Sequence, residues 1–276
     1  MSVRVDSLMA HDSTPGSRPP WRGLARLIGA VGFYGLLIQL AVMSLAYNLG
    51  ALLMLPILRG PRGTAAGRAG IARGYRWYFA CAQASGLLQI DSAALDVLHD
   101  EPGGLLIAAN HPSMLDAMVL VSRLPRSVCI MKAELMRNVF LGAGARLARY
   151  ILNDSPRGLV RQAVQCLRDG GHLVMFPEGT RTVQRPVNAF RPGFTLIAER
   201  AHVPIQTVLL ETDNPFLAKG WPIWRLPPLP IRIRARLGAR FAPDADHAAL
   251  LERLERYFAA ELAAGAPPAE SRRAAA

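Results

Sequence analysis

Between Leu27 and Leu58 the chain runs for 32 residues without a charged side chain, LIGAVGFYGLLIQLAVMSLAYNLGALLMLPIL. No other feature limits its folding as much. A bilayer-spanning helix takes about 20 apolar residues and two spans take about 40, so the run is long for one crossing and short for two. Arg18, Arg22 and Arg26 precede it; Arg59, Arg62, Arg68 and Arg73 follow it. Positive residues stay on the cytoplasmic side of a membrane. Two basic flanks therefore predict an N-terminal membrane-associated helical hairpin over residues 23–60, entering and leaving by that face, with its turn at Asn48 or Gly50. A single tilted span is one alternative. A buried core helix is another, although the run offers only Gln39, Ser44 and Asn48 in place of a polar stripe.

The 276 residues suffice for one large domain with an appended segment. The formal charge is +12, from 30 arginines and only two lysines, Lys132 and Lys219, set against the acids. Such an excess predicts an anionic partner: a membrane surface, an acidic carrier protein, a phosphate-bearing substrate or nucleic acid. A plain compositional bias towards arginine gives the same number. Nucleic acid is set aside, because no recognisable binding fold or aromatic platform accompanies the charge. Cys81, Cys129 and Cys166 lie far apart, with no paired or metal-ligand spacing. The chain is expected to hold no metal and to suit a reducing compartment. Residues 1–22 are polar and proline-containing and read as a disordered lead-in, and residues 266–276 as a loose tail.

Past a basic linker, apolar strands alternate with helical periodicities. Strands are expected at 104–110, 127–132, 149–153, 172–177 and 204–210. Helices are expected at 75–88, 113–123 with Ser113 as cap, 133–148 with a break near Gly142, 157–168, 193–201 and 245–264 with Asp244 as cap. Residues 231–238 (IRIRARLG) alternate with period two, as an edge strand with one wet face does. The alternation predicts an α/β fold over residues 61–265, a mostly parallel central sheet with flanking helices.

Two strand ends carry chemistry. LIAANHPSMLD, residues 106–116, puts His111 in a strand-to-helix loop with Asp116 five residues on, where ligands and catalytic groups gather in parallel sheets. If His111 precedes the helix and folds back over its first turn, Asp116 can fix the imidazole tautomer and free the other nitrogen as a general base. Pro112 favours that path by keeping His111 out of helical geometry. A structural histidine–helix contact is the competing reading. FPEGTR, residues 176–181, presents a carboxylate, a flexible Gly179 and a forked Arg181 suited to a phosphate or hydroxyl; alone it is also a turn with a surface ion pair.

In this order and spacing, Asn110, His111, Ser113 and Asp116 (N-H-x-S-x-x-D), Phe176 to Arg181, Phe190 and Gly193, and Val203-Pro204-Ile205 resemble the glycerolipid acyltransferase family. The match is to its bacterial 1-acylglycerol-3-phosphate (lysophosphatidate) acyltransferases in particular. The resemblance covers roughly residues 75–240. It implies transfer of a fatty acyl group from acyl-CoA or acyl-carrier protein to the hydroxyl of a lysophosphatidate-like lipid, with no resident cofactor. His111 would be the base and Asp116 its orienting carboxylate. Asn110, Ser113, Glu178, Gly179, Thr180 and Arg181 would serve substrate binding, and Lys132, where the family often has a basic residue, would meet an anionic substrate. Ser113 as a nucleophile lacks the surrounding G-x-S-x-G turn.

Two departures stand out. Thr207 replaces the second proline of the fourth block. Asn153 or Asp154 falls where the second block usually ends in an arginine, with Arg157 offset nearby. The acceptor is therefore open between lysophosphatidate and another membrane alcohol or amine. A thioesterase, a lipid hydrolase and a non-catalytic membrane binder are the remaining alternatives. The partners implied are membrane lipids, and the location the cytoplasmic face of a bacterial inner membrane, where Trp221 and Trp224 anchor the protein or simply pack.

Overall fold

The computed structural model describes residues 21–184 and 186–265. The lead-in expected before Trp21 and the tail expected after Gly265 lie outside the described residues. The uncharged run is one helix, α1 (Trp21–Met54), with no turn at Asn48 or Gly50. The chain reverses at 55–59 and returns as α2 (Gly60–Ala84), which starts on a proline near its first turn. The expected hairpin turn is thus displaced, and only one of its arms is apolar. Asn48 plugs instead of turning. It is buried, its side-chain amide donates to the Phe140 carbonyl, and its side-chain oxygen accepts from Gly144 N at 2.9 Å.

The strands are β1 (Leu88–Asp91), β2 (Leu105–Ala109), β3 (Ser127–Lys132), β4 (Ile151–Asn153), β5 (His172–Met175), β6 (Ile205–Glu211) and β7 (Ile231–Phe241). They form a single sheet in the order β1-β7-β6-β2-β5-β3-β4. All pairs are parallel except β6 with β7. The alternation in β7 does mark a wet face, but β7 is not an edge, because β1 pairs along its far side. Thr207, in place of a proline, lies at a register shift between β6 and β7 and donates its hydroxyl to Ala239 O at 2.7 Å.

One face of the sheet is covered by α1, α2, α3 (Leu115–Arg123) and a 3-10 turn at Ala93–Leu98, with Phe79, Leu95, Leu105, Ile107 and Leu120 at its core. The other is covered by α5 (Pro156–Arg168), α6 (Gly193–Ala201) and α7 (His247–Ala264), around Leu106, Leu173, Phe194, Ile197 and Phe258. The short α4 (Gly142–Leu147) packs against α1 and α2; residues 133–137 ahead of it are 3-10, not α-helical. Capping follows local chemistry. Asp246, rather than Asp244, accepts from Ala249 N and starts α7, while Ser155 accepts from Gly158 N and starts α5. Strands β2 to β6 end on the same rim, and the loops leaving that rim carry the motifs.

Candidate active site

β2 is buried at every position and delivers Asn110 to the rim. There the Asn110 side chain continues the β2–β6 ladder. Its Nδ2 donates to Leu210 O at 2.8 Å and its Oδ1 accepts from Leu210 N at 2.7 Å. That clamp fixes where the next residue leaves the sheet.

His111 comes next. Its Nδ1 lies 2.9 Å from Asp116 Oδ2. The same carboxylate oxygen accepts from Ser113 N at 2.7 Å, folding the Asp116 side chain back over the S-M-L-D stretch. The i to i+5 pair therefore meets because His111 stands before the helix and Asp116 occupies its first turn. Burial pushes the Asp116 carboxyl above its ordinary value, and the bonds from His111 and Ser113 offset that only in part. Asp116 is 1 % exposed, whereas the His111 side chain keeps 18 %. The imidazole stacks on Phe176 with ring centroids 4.0 Å apart at 17°. Asp116 holds it at Nδ1 and Phe176 covers one face, which leaves Nε2 without a hydrogen-bond partner among the described residues.

The second motif supports the first. Glu178, read from sequence as an exposed turn residue, is buried, and both its oxygens are used. Oε1 accepts from His111 N at 2.9 Å and from Thr182 Oγ1 at 2.7 Å, and Oε2 from Asn188 N at 2.8 Å. Thr182 N donates back to His111 O at 2.7 Å. Gly179, at φ +68°, makes the turn that allows this. Arg181 donates from Nη1 to Leu217 O at 2.8 Å and Ala218 O at 3.0 Å, fastening the turn to the loop after β6.

Ser113 is buried too. Its Oγ donates to Phe216 O at 3.0 Å and accepts from Leu115 N at 3.2 Å, so it does not sit at the cap position of α3, which is Met114. Asn110, Ser113 and Glu178 thus spend their polar atoms inside the protein. Gly179, Thr180, the partly exposed Arg181 and the exposed Lys132 remain at the surface. Lys132, last in β3, is in register with Asn153 on β4, which with Asp154 is where the second block's arginine is expected and missing.

Local spacing gave no signal for Asn188, which ties Glu178 to the turn, or for the 216–218 carbonyls that receive Ser113 and Arg181. Each acts through a contact distant in sequence.

The arrangement suits proton abstraction by a fixed imidazole at an open rim, next to surface cations. Residues 94–211 match the family model described as Acyltransferase. The chain is 30% identical over 133 residues to a 1-acyl-sn-glycerol-3-phosphate acyltransferase of Limnanthes alba, covering 46% of this chain and 47% of that one. It is 34% identical over 117 residues to one of Helicobacter pylori, covering 40% and 49%. The matched stretch is about half the length of these relatives. The crystal structure of the 1-acyl-sn-glycerophosphate (LPA) acyltransferase of Thermotoga maritima shares the fold, with a TM-score of 0.65 over 87% of this chain and 96% of that one, at 19% identity. Residues 94–211 thus match the acyltransferase family model, and the chain resembles the 1-acyl-sn-glycerol-3-phosphate acyltransferases.

Proposed function

We propose that the protein transfers a fatty acyl group from a thioester donor to the hydroxyl of a lysophosphatidate-like lipid. The single observation that carries this reading is the 2.9 Å contact of His111 Nδ1 with buried Asp116. With the carboxylate ionised, Nδ1 keeps the proton and the Nε2 lone pair is free. Nε2 takes the proton of the acceptor hydroxyl as that oxygen attacks the thioester carbonyl, and returns it to the leaving thiolate. A positioned base of this kind is worth about 10²–10⁴ in rate. Glu178 acts at one remove, holding the His111 backbone.

An anionic headgroup is favoured by the cations left at the rim. Lys132 lies two strands from β2 in the sheet order, about 10 Å away, and places a positive charge beside the Asn153 site. Arg181 contributes the part of its guanidinium not engaged with the 217–218 carbonyls.

Membrane association is part of the same reading. The 32 residues Gly23–Met54 are long and apolar enough to cross a bilayer. Yet one side of α1 is committed to the domain. Phe33 packs edge-on to Phe216 at 5.2 Å, Tyr47 Oη donates to Gly67 O at 2.7 Å, and Asn48 is plugged into α4. A helix fixed lengthwise to a polar domain suits the interface plane better than a crossing. Its free side shows Ile28, Val31, Ile38 and Val42. Trp224 is exposed next to it, with its carbonyl bonded to Tyr34 Oη at 2.9 Å, whereas Trp221 packs under Arg225 at 4.4 Å.

The test is mass spectrometry of the lipids formed by the purified protein from acyl thioester and a panel of lysolipids. Diacylated phosphatidate as the main product supports the reading. Free fatty acid alone replaces it with a hydrolase.

A further inference from the structure

The face of the sheet opposite α1 carries a groove of about 710 Å³ between α5 and α6. Its rim is made of arginine: Arg157, Arg161 and Arg168 from α5, and Arg200 from the last turn of α6. All four are exposed, and none is ion-paired among the described residues. Elsewhere on the domain arginines do find carboxylates, as Arg123 finds Asp96, Arg236 finds Glu211 and Arg240 finds Glu101. Glu199 is the one acid lining the groove, so four arginines less one glutamate leave it at net +3. The floor is apolar, made of the half-buried Val160, Val164 and Leu196.

Spacing narrows the occupant. Positions 157, 161 and 168 fall on one side of α5, the first and last 11 positions apart, about 16 Å along the helix. A compact phosphate cluster spans less. A row of charge of that length beside an apolar floor matches an amphipathic helix with carboxylates on successive turns. A bilayer is a poor match, because the apolar side of α1 lies on the other face of the sheet and one flat surface cannot meet both. One end of the groove, lined by Pro156 and Arg157, lies at the start of α5. α5 begins directly after β4, on the rim where β2 ends, and β4 is three strands from β2, about 14 Å.

We propose that the α5–α6 groove docks an acidic helix of an acyl carrier protein, which presents its thioester to His111. The proposal rests on the acyl-transfer reading above. The carrier's C–S bond breaks as the acceptor's C–O bond forms, and the hydroxyl proton passes through His111 to the carrier thiolate.

The experiment compares the full chain in detergent with an Arg161→Glu/Arg200→Glu variant and an Arg161→Lys/Arg200→Lys variant. Two readouts are taken: binding of fluorescently labelled acyl carrier protein, and kinetics with palmitoyl-carrier protein and palmitoyl-CoA. The glutamate pair is expected to weaken carrier binding about tenfold or more and to raise KM for the carrier-bound donor to match, leaving kinetics with CoA unchanged. The lysine pair is expected to keep near-normal binding that weakens with salt. Carrier binding unchanged in the glutamate pair overturns the proposal. So does an equal loss with both donors, or a loss of vesicle binding in place of carrier binding. Transfer from neither donor by the parent protein overturns the acyl-transfer reading instead, and the binding measurement still decides the groove.

Discussion

Asp116 shows how a site sets function against stability. Burial raises the folded-state pKa of this carboxyl above its unfolded value. Its contribution to stability is therefore full below the ordinary carboxylate range and is lost as pH rises through the folded value, so the ionised group burdens the fold at neutral pH. Asp116→Asn is expected to cut transfer by about 10²–10⁴, because the amide favours the wrong imidazole tautomer. Thermal denaturation at neutral pH should show no loss of stability; a marked fall in Tm there would contradict the pKa direction. Glu178→Ala acts the opposite way. It strands three donors, His111 N, Thr182 Oγ1 and Asn188 N, and should destabilise by about 3 kcal/mol in urea denaturation. The sequence made His111 and Asp116 legible, because their partnership is local. It misplaced Glu178, because what buries that side chain is a backbone donor 67 residues away.

At the level of elements, strands buried on both faces announced themselves as apolar runs, and β2, β5 and β6 were readable for that reason. β1 was not. LQID is short and mixed, and becomes a strand only by pairing with β7, which follows it by some 140 residues. The same pairing moves β7 off the edge. Close approaches between elements were equally invisible. A Cβ on Gly104 would lie 2.0 Å from Leu167 O, where α5 ends over the start of β2. Gly104→Ala is expected to cost about 2 kcal/mol of stability, measured by urea denaturation. β5 carries a pH-sensitive group in His172, whose Nε2 is buried without a partner among the described residues. Burial, with the Arg126 guanidinium adding to it, holds this imidazole below its ordinary value. Neutral His172 therefore supports the fold above about pH 6.5 and that support is lost as pH falls further. His172→Asn should flatten the decline in Tm on acidification; an unchanged slope would place the effect elsewhere.

Across the whole molecule, the two faces of the sheet divide the work. One carries α1 with its free apolar side, and the other carries the arginine-rimmed groove, with the His111 rim between them. Charge and hydropathy pointed to an anionic, lipid-linked setting, through +12 and an uncharged run of 32 residues, but not to which face of the sheet carries what. They could not say that α1 is bound lengthwise to the domain, because that depends on Phe216, Gly67 and Gly144, all distant in sequence. Replacing Ile28, Val31, Ile38 and Val42 together by serine should abolish flotation with anionic vesicles and leave the sheet intact by circular dichroism. Continued flotation would assign membrane contact to another surface. The base at the rim is tested by kcat for acyl transfer by His111→Ala beside the parent protein, with equal folding confirmed. A loss of at least about 10²-fold is expected; transfer at the parent rate would remove His111 from the chemistry.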